Sequence, residues 1–213
     1  MELEGLYLRN RVTGNAGRGE DHRHDIVFLI ETIFDHHVME GFRVKLGFDA
    51  KLVVDRDGNS GGLCLFWKGC VDVSLLFFSR FHIDYVVILD NNKWWRRTGF
   101  NGYPVAAQRH HGWTLLRRLA GMSSLSWLVG GDFNEIASLF EKLGVVTMQE
   151  PLLNPFRSVL VEYGLKDLSF TGTNFTWTNR CESSDLVQEW LDRCVSNLDW
   201  RQIFPCYMVK RLD

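Results

Sequence analysis

A short apolar run, Trp127-Leu128-Val129, constrains the fold most strongly because the polar segment Gly130-Gly131-Asp132-Phe133-Asn134-Glu135 follows it directly. This pattern predicts a buried β-strand with a polar tip. Asp132 and Asn134 are two residues apart, so their side chains share one face of an extended chain. Such a pair suits a site where a carboxylate holds a metal-bound water or ion and an amide orients a substrate oxygen. The alternative is an ordinary turn, since Gly-Asp is common in turns.

The composition is that of a globular protein with a large core. The chain has 213 residues, which fits one domain, and 46% of them are hydrophobic. Eight Trp and fifteen Phe favour a core built on β-sheets. The net charge of −2 excludes a global basic field of the kind that drives non-specific nucleic-acid binding.

The cysteines and the apolar runs bear on the cellular setting. The number of cysteines is odd and no two are spaced as Cys-x-x-Cys, which argues against a zinc site and a disulfide framework. The longest apolar runs have strand length, and the N-terminus has no apolar signal segment. We therefore expect an intracellular protein, in the nucleus or cytoplasm, that is not secreted and does not contact a membrane. The cysteines are Cys64, Cys70, Cys181, Cys194 and Cys206.

The chain divides into a leader and one domain. Residues 1–24 are rich in glycine and charge without periodicity, which predicts a divergent, disordered leader. Residues 25–213 carry the structured pattern. This part begins with Ile26–Ile30, a continuous apolar run that predicts a strand buried on both faces and ending at Glu31.

The remaining patterns predict a mixed α/β fold with more antiparallel strand than helix. A strand is expected at Leu63–Trp67, and half-buried strands are expected where residues 71–77 and 81–85 alternate. One helix is predicted at 112–120 and a second from Asn154, its N-cap, to Gly164. Further strand patterning marks 175–179, where Trp177 is expected in the core.

Seven segments, in this order along the chain, resemble the endonuclease/exonuclease/phosphatase superfamily, the fold of deoxyribonuclease I. The similarity is strongest to the endonuclease domain of plant non-LTR (LINE-type) retrotransposons. The segments are Asp25–Thr32, Gly61–Trp67, Trp95–Pro104, Trp127–Ile136, Gly164–Leu168, Phe175–Asn179 and Trp190–Arg193.

The resemblance implies a fold, a chemistry and a set of site residues. The fold would be a four-layer sandwich of two mainly antiparallel β-sheets flanked by helices. The chemistry would be phosphodiester or phosphomonoester hydrolysis with Mg²⁺ or Mn²⁺ and an activated water. Glu31 would be the metal ligand, Asp132 and Asn134 would activate water and orient the phosphate, and Asp192 would orient a catalytic histidine. Read without the family, Glu31 is an ordinary strand-end carboxylate, and Asp192 is a partner of Arg193 or Arg201.

The sequence also departs from the family in three places. The opening Trp-Asn-x-Arg-Gly strand is not found, so the first and last strands are expected to be missing or altered. Asn101 stands where the family has a site tyrosine, with Tyr103 two residues on. The closing Ser-Asp-His is absent before Asp213, and none of the seven histidines replaces it by motif. We therefore expect a truncated, impaired family member.

Three functions remain open. The first is a metal-dependent DNA endonuclease of retroelement origin, associated with a reverse transcriptase encoded downstream. The second is a non-catalytic remnant or binding module with weak or vestigial DNA binding, and it predicts no nicking above background. The third is a phosphoesterase for small molecules. Arg96 and Arg97 are expected on a solvated edge strand, with contact to phosphates as the alternative.

Overall fold

A computed structural model describes residues 8–9, 24–32, 34–56, 61–89, 93–144, 154–181 and 185–210. The described helices are α1 (His36–Leu46), α2 (Arg109–Gly121), α3 (Asn154–Glu162) and α4 (Leu198–Ile203). The strands are β1 (Leu8–Arg9), β2 (Ile26–Ile30), β3 (Ala50–Val54), β4 (Leu63–Trp67), β5 (Asp72–Ser79), β6 (His82–Ile88), β7 (Trp94–Asn101), β8 (Ser126–Asp132), β9 (Lys142–Leu143), β10 (Lys166–Asp167), β11 (Phe170–Thr171), β12 (Trp177–Thr178), β13 (Gln188–Glu189), β14 (Asp192–Ser196) and β15 (Met208–Lys210).

The largest sheet has six strands in the order β10-β14-β8-β7-β6-β5. Its neighbouring strands are antiparallel except β7 and β8, which are parallel. Helix α2 makes the crossover between those two, as a parallel connection requires. Three smaller sheets have the orders β2-β4-β3, β1-β15-β11 and β12-β13-β9.

Two sheet layers face each other around the main core. Phe28 of β2 and Leu65 of β4 belong to the same buried cluster as Tyr85 of β6, Leu128 of β8 and Val209 of β15. The inner face of the large sheet therefore packs against the sheets that contain β2 and β15.

Helices cover the outer faces of both layers. Trp113 of α2 and Phe156 of α3 form one cluster with Trp127 and Val129, which point to the outer side of β8. On the other layer, Met39 of α1 packs with the residues of β2 and β4 that alternate with the main-core ones. The result is a mixed α/β four-layer sandwich, as the sequence predicts.

Several predicted elements are confirmed. β2 and β4 have the bounds that the sequence predicts, and β2 is buried on both faces. α2 begins three residues before the predicted position 112. α3 begins at Asn154, and Gly164, with a φ of 60°, follows its end.

Helix α1 is not among the helices that the sequence predicts. The residues that cap this helix at its two ends are the sequence signal that could have predicted it. The Asp35 carboxylate accepts hydrogen bonds from the backbone nitrogens of His37 and Val38, and Gly47 ends the helix in the left-handed conformation at a φ of 72°.

The expectation of half-buried strands with solvated arginines is wrong for β6 and β7. Asp84 and Arg96 are almost completely buried, and Arg97 is buried as well. The Arg96 guanidinium donates to both carboxylate oxygens of Asp84 at 2.8–3.0 Å and to the backbone oxygen of Leu119 in α2 at 2.7 Å. The helix layer covers this face of the sheet, so residues that were expected at the surface lie in the interior. There the charges of Asp84 and Arg96 compensate each other.

The division into a leader and a domain stays a prediction. Within residues 1–24 the structure describes His24 and strand β1, which pairs with β15. The other leader residues lie outside the described residues. No helix in the described part of the chain is long and apolar enough to cross a membrane.

Gly131 is the glycine on which the fold depends most clearly. Its φ is 148°, and a Cβ added there would lie 1.9 Å from the backbone oxygen of Phe100 on the neighbouring strand β7.

We expect Gly131→Ala to lower the unfolding free energy by more than about 2 kcal/mol, and so the melting temperature by about 4 °C or more, measured by circular dichroism. Gly121→Ala is the matched control, since a Cβ there meets nothing within 4 Å. Equal melting temperatures for the two variants would contradict the assignment.

Candidate active site

The strand register of the large sheet places three polar residues in one row. Asn101 of β7 pairs with Asp132 of β8, and Asp132 pairs in turn with Asp192 of β14. Paired residues on neighbouring strands have Cα atoms about 5 Å apart and their side chains on the same face. Two of the predicted site residues, Asp132 and Asp192, are therefore brought together by backbone pairing alone.

Glu31 reaches this row from the other sheet. It follows the last residue of β2 and has a φ of 53°, a left-handed conformation that is uncommon for a residue other than glycine. Its side chain is exposed, and its negative charge acts on Asp132. The third carboxylate of the predicted site is thus within electrostatic reach of the row.

Asn134 holds the carboxylate of Asp132 in place. Its backbone nitrogen donates to Asp132 Oδ1 at 2.7 Å, and its side-chain amide donates to Asp132 Oδ2 at 2.8 Å and to the backbone oxygen of Gly102 at 3.2 Å. Its φ of 52° makes this tight turn possible. Both amide hydrogens of Asn134 are therefore engaged by these two acceptors.

The pKa of Asp132 is raised from its ordinary value of 3.8 to about 7. Burial is the largest cause, and the negative charges of Asp192 and Glu31 act in the same direction. The hydrogen bond from the Asn134 backbone and the charge of Arg109 oppose the shift without cancelling it. Asp132 consequently exchanges its proton near neutral pH, the range in which a general base is most effective.

Thr176 fixes the backbone next to Asp192. The Thr176 Oγ1 atom accepts hydrogen bonds from the backbone nitrogens of Leu191 and Asp192, both at 3.0 Å. On the other side, Trp190 Nε1 donates to the backbone oxygen of Asp192 at 2.7 Å. Sequence patterning identifies Thr176 only as one position of a predicted strand, because its partners lie 15 and 16 residues away.

The two arginines considered as partners of Asp192 bind elsewhere. The buried Arg193 guanidinium donates to Glu141 at 2.6 Å and Asp167 at 3.2 Å. Arg201 donates to the backbone oxygen of Ser196. Arg109, at the start of α2, pairs with Glu135 at 2.9 Å, directly behind the Asp132–Asn134 turn.

The donor set fits a hydrated divalent cation better than a protein cage. Among the described residues no three histidine, cysteine or acidic side chains form a group that could enclose a metal ion. Mg²⁺ usually takes one or two protein carboxylates and fills its other positions with water and substrate phosphate. The negative charges of Asp192 and Glu31 both act on the buried carboxylate of Asp132. That arrangement fits such an ion.

Aromatic side chains border the site. The Tyr103 ring stacks on Phe81 with 3.9 Å between centroids, and His111 lies 5.6 Å from Tyr103 on the other side. Asn101 itself is buried, at the position where the family resemblance leads one to expect tyrosine. Among the remaining described histidines, His82 is hydrogen-bonded to Ser79 and His110 contacts the backbone oxygen of Ala107.

The prediction that Trp177 lies in the core is wrong. Its side chain is 45% exposed on β12, which among the described strands pairs with the short strand β13 alone. The residue between two core-like positions in the sequence, Thr176, faces Asp192 instead.

The pH dependence of stability tests the state of Asp132. Because its folded pKa of about 7 lies above its ordinary value of 3.8, the folded protein holds a proton that the unfolded chain releases, and stability falls as pH rises between these values. Asp132→Asn keeps an oxygen for the Asn134 backbone and removes the charge. We expect this variant to be more stable than the parent by on the order of 1–3 kcal/mol at pH 8, with the difference shrinking toward pH 5. Urea unfolding at both pH values measures it, and a difference independent of pH would refute the raised pKa.

Removal of the Thr176 hydroxyl tests the support of Asp192. Thr176→Val has the same shape but leaves two backbone N–H groups without their acceptor, so we expect a loss of about 1–3 kcal/mol in urea unfolding. Thr176→Ser keeps the oxygen and is expected to lose less than half of that. A larger loss in Thr176→Ser than in Thr176→Val would show that packing of the methyl group, rather than the hydrogen bonds, matters at this position.

Known structures share the fold at low sequence identity. The endonuclease domain of TRAS1, a telomere-specific non-LTR retrotransposon, matches with a TM-score of 0.57 and 12% identity over 76% of this chain and 78% of that one. The 3′ phosphatase NExo from Neisseria, bound to a product DNA hairpin, matches with a TM-score of 0.57 and 13% identity over 84% and 78%. A β-hairpin deletion mutant of beta toxin from Staphylococcus aureus matches with a TM-score of 0.55 and 14% identity over 92% and 81%.

A search of curated proteins found no match. The sequence does match the model of the Endonuclease/Exonuclease/phosphatase family, and the match extends over residues 8–204. That range contains the row of polar residues, the Asp132–Asn134 turn and Glu31. The chain belongs to the endonuclease/exonuclease/phosphatase family.

Proposed function

We propose that this chain is a metal-dependent phosphodiester hydrolase of retroelement origin that acts on DNA with reduced activity. The observation that carries the proposal is the placement of Asp132 beside Asp192 and within electrostatic reach of Glu31, with the pKa of Asp132 raised to about 7. A carboxylate in that state takes up a proton from water at neutral pH more readily than an ordinary aspartate.

Each residue of the group has a distinct part in the proposed reaction. Asp132 accepts the proton of the attacking water. Asn134 holds both oxygens of the Asp132 carboxylate through its backbone and side-chain nitrogens, and so fixes the direction of proton transfer.

Glu31 and Asp192 are proposed to supply the negative charge of the site. Glu31 would hold Mg²⁺, with Mn²⁺ as a substitute, through a hard carboxylate oxygen. The ion supplies neutralisation of the phosphate charge and stabilisation of the departing oxygen. Asp192 keeps negative charge beside Asp132, and Thr176 and Trp190 hold its backbone in position.

Three observations support DNA as the substrate. The family includes nucleases, and two structures with the same fold are described as a retrotransposon endonuclease domain and as a phosphatase bound to a DNA hairpin. Trp177 exposes its indole on a small sheet whose strand β13 leads into Asp192. An exposed aromatic ring near a phosphate-cleaving group is a stacking surface for a nucleobase.

Reduced activity follows from Asn101. The related enzymes implied by the resemblance carry tyrosine at this place in the row, and an amide cannot replace a phenol as a proton donor. Loss of one positioned acid or base costs on the order of 10²–10⁴ in rate. A second candidate is accordingly a DNA-binding module without catalysis, which would retain the charge arrangement but not turn over.

Plasmid nicking with matched variants tests the proposal. We expect slow Mg²⁺-dependent conversion of supercoiled to open-circular DNA, at most about tenfold above a chelator-treated control. Asn101→Tyr restores the phenol and is expected to raise the rate by about tenfold or more. Adding Glu31→Gln or Asp132→Asn to that variant should return it to background, whereas Glu162→Gln, which removes an exposed carboxylate paired with Arg117, should not.

A DNA-binding module without catalysis would give a different set of experimental results. If no variant nicks DNA but fluorescence anisotropy detects binding that needs Mg²⁺ and is weakened by Glu31→Gln, the chain is a binding module and the hydrolase proposal is wrong. If neither nicking nor binding responds to Glu31, the whole site assignment is wrong.

A further inference from the structure

Glu135 ends the polar segment that follows β8, and the proposed reaction gives it no part. It comes directly after Asn134, whose φ of 52° is in the left-handed region. Only 6% of Glu135 is exposed, so its charge lies almost entirely in the interior. A buried carboxylate is unfavourable unless a cation and hydrogen-bond donors compensate it. The donors that compensate Glu135 connect it to both neighbouring parts of the site.

Both carboxylate oxygens of Glu135 accept hydrogen bonds. Oε2 accepts from Arg109 Nη1 at 2.9 Å, and Oε1 accepts from the backbone nitrogen of Ile136 at 3.2 Å. Arg109 is the first residue of α2, the helix that crosses from β7 to β8. Hydrogen bonds between two ionised groups are stronger than those between neutral groups. The side chain of Glu135 thus ties the start of α2 firmly to the segment that follows β8.

The backbone of Glu135 is held from a second direction. Its carbonyl oxygen accepts a hydrogen bond from Arg193 Nη2 at 3.3 Å. Arg193 is buried and directly follows Asp192 in β14. The Arg193 guanidinium is itself held by Glu141 at 2.6 Å and by Asp167 at 3.2 Å. Glu135 therefore lies between two arginines, one from α2 and one from the strand that carries Asp192.

The conformation of Asn134 needs such support. Asn134 donates to both carboxylate oxygens of Asp132 and to the backbone oxygen of Gly102 from a left-handed backbone. That backbone conformation is unfavourable for a residue other than glycine, and it persists only where the surrounding contacts hold it. The residue next to Asn134 is Glu135, whose side chain and carbonyl oxygen are both fixed.

We infer that Glu135 is a positioning residue. Through its bonds to Arg109 and Arg193 it holds Asn134 in the left-handed conformation, and Asn134 in turn keeps the carboxylate of Asp132 in the direction that proton transfer needs. Glu135 acts through Asn134 rather than on the substrate. The kinetic consequence rests on the proposed hydrolase function, whereas the geometry of the turn can be measured without activity.

The kinetic test uses the Asn101→Tyr chain, in which the proposed activity is expected to be measurable. Glu135→Gln keeps the size of the side chain, but its amide nitrogen cannot accept a hydrogen bond. We expect it to lower kcat by about tenfold or more with KM within about twofold, because misplacing a reacting group can cost about 10²-fold in rate. Arg109→Met should act similarly. Glu162→Gln, which removes an exposed partner of Arg117 on the same helix, is the matched control and should change neither constant.

The double variant with Glu135→Gln and Arg109→Met tests whether these two side chains act through their shared ion pair. If they do, it should be slower than the slower single variant by no more than about threefold. Losses that multiply would contradict the inference. The rates are compared about two pH units above the pKa of Asp132, so that removal of the Arg109 charge changes the ionisation of Asp132 little.

Hydrogen–deuterium exchange of the Asn134 backbone amide, followed by NMR, tests the turn without any need for activity. This amide donates to Asp132 Oδ1 at 2.7 Å. In the parent chain, Glu135→Gln should speed its exchange by about tenfold or more relative to the amide of Val86. Val86 is the reference because its strand, β6, lies between β5 and β7 in the large sheet. An unchanged circular dichroism spectrum establishes that the variant is folded.

Three further results would overturn the inference. The first is an unchanged relative exchange rate of the Asn134 amide in Glu135→Gln, whether or not the chain cleaves DNA. The second is faster exchange with a kcat that stays within about twofold of the Asn101→Tyr background. The third is an effect confined to KM, which would place Glu135 on the binding surface. If Asn101→Tyr does not nick DNA at all, the hydrolase proposal fails, and the exchange rate alone decides whether Glu135 holds the turn.

Discussion

The parallel pairing of β7 with β8 and the antiparallel pairing of β8 with β14 together determine where the polar groups of this chain can meet. Asn101, Asp132 and Asp192 form one row because these three strands have one particular register. A slip by one residue would turn each side chain to the opposite face of the sheet. The register in turn depends on the close approach of β7 and β8 at Gly131, where there is no room for a side chain.

Buried polar networks on both sides of the row reinforce that register. On one side Arg96, Asp84 and Thr98 form a closed set of hydrogen bonds that also reaches Trp127 Nε1 on β8, 2.8 Å from Thr98. On the other side Arg193 follows Asp192 directly and is held by two carboxylates. A buried charge that loses its partner is strongly unfavourable. Alternative registers would separate these pairs, so they cost more free energy than a loss of hydrophobic packing alone.

The sequence was sufficient to predict the layers of the fold, but it did not predict the contacts between those layers. Alternation and apolar runs located β2, β4 and α3 because their signals are local. Asp84 and Arg96 look like surface residues in the sequence, since only the packing of α2 on the sheet encloses them. The same holds for the site: Asp132 and Asn134 are recognisable from one segment, while the role of Thr176 depends on hydrogen bonds from Leu191 and Asp192, 15 and 16 residues away.

The backbone φ angles of the site residues give information about these positions that composition and packing do not give. Three non-glycine residues in the described part of the chain have a positive φ, and two of them are Glu31 and Asn134. Such conformations cost of order 1–3 kcal/mol each, and glycine would relieve most of that cost. Neutral drift under selection for stability alone would tend to replace both residues by glycine. Two strained polar side chains next to one carboxylate therefore indicate that these positions meet a requirement other than stability.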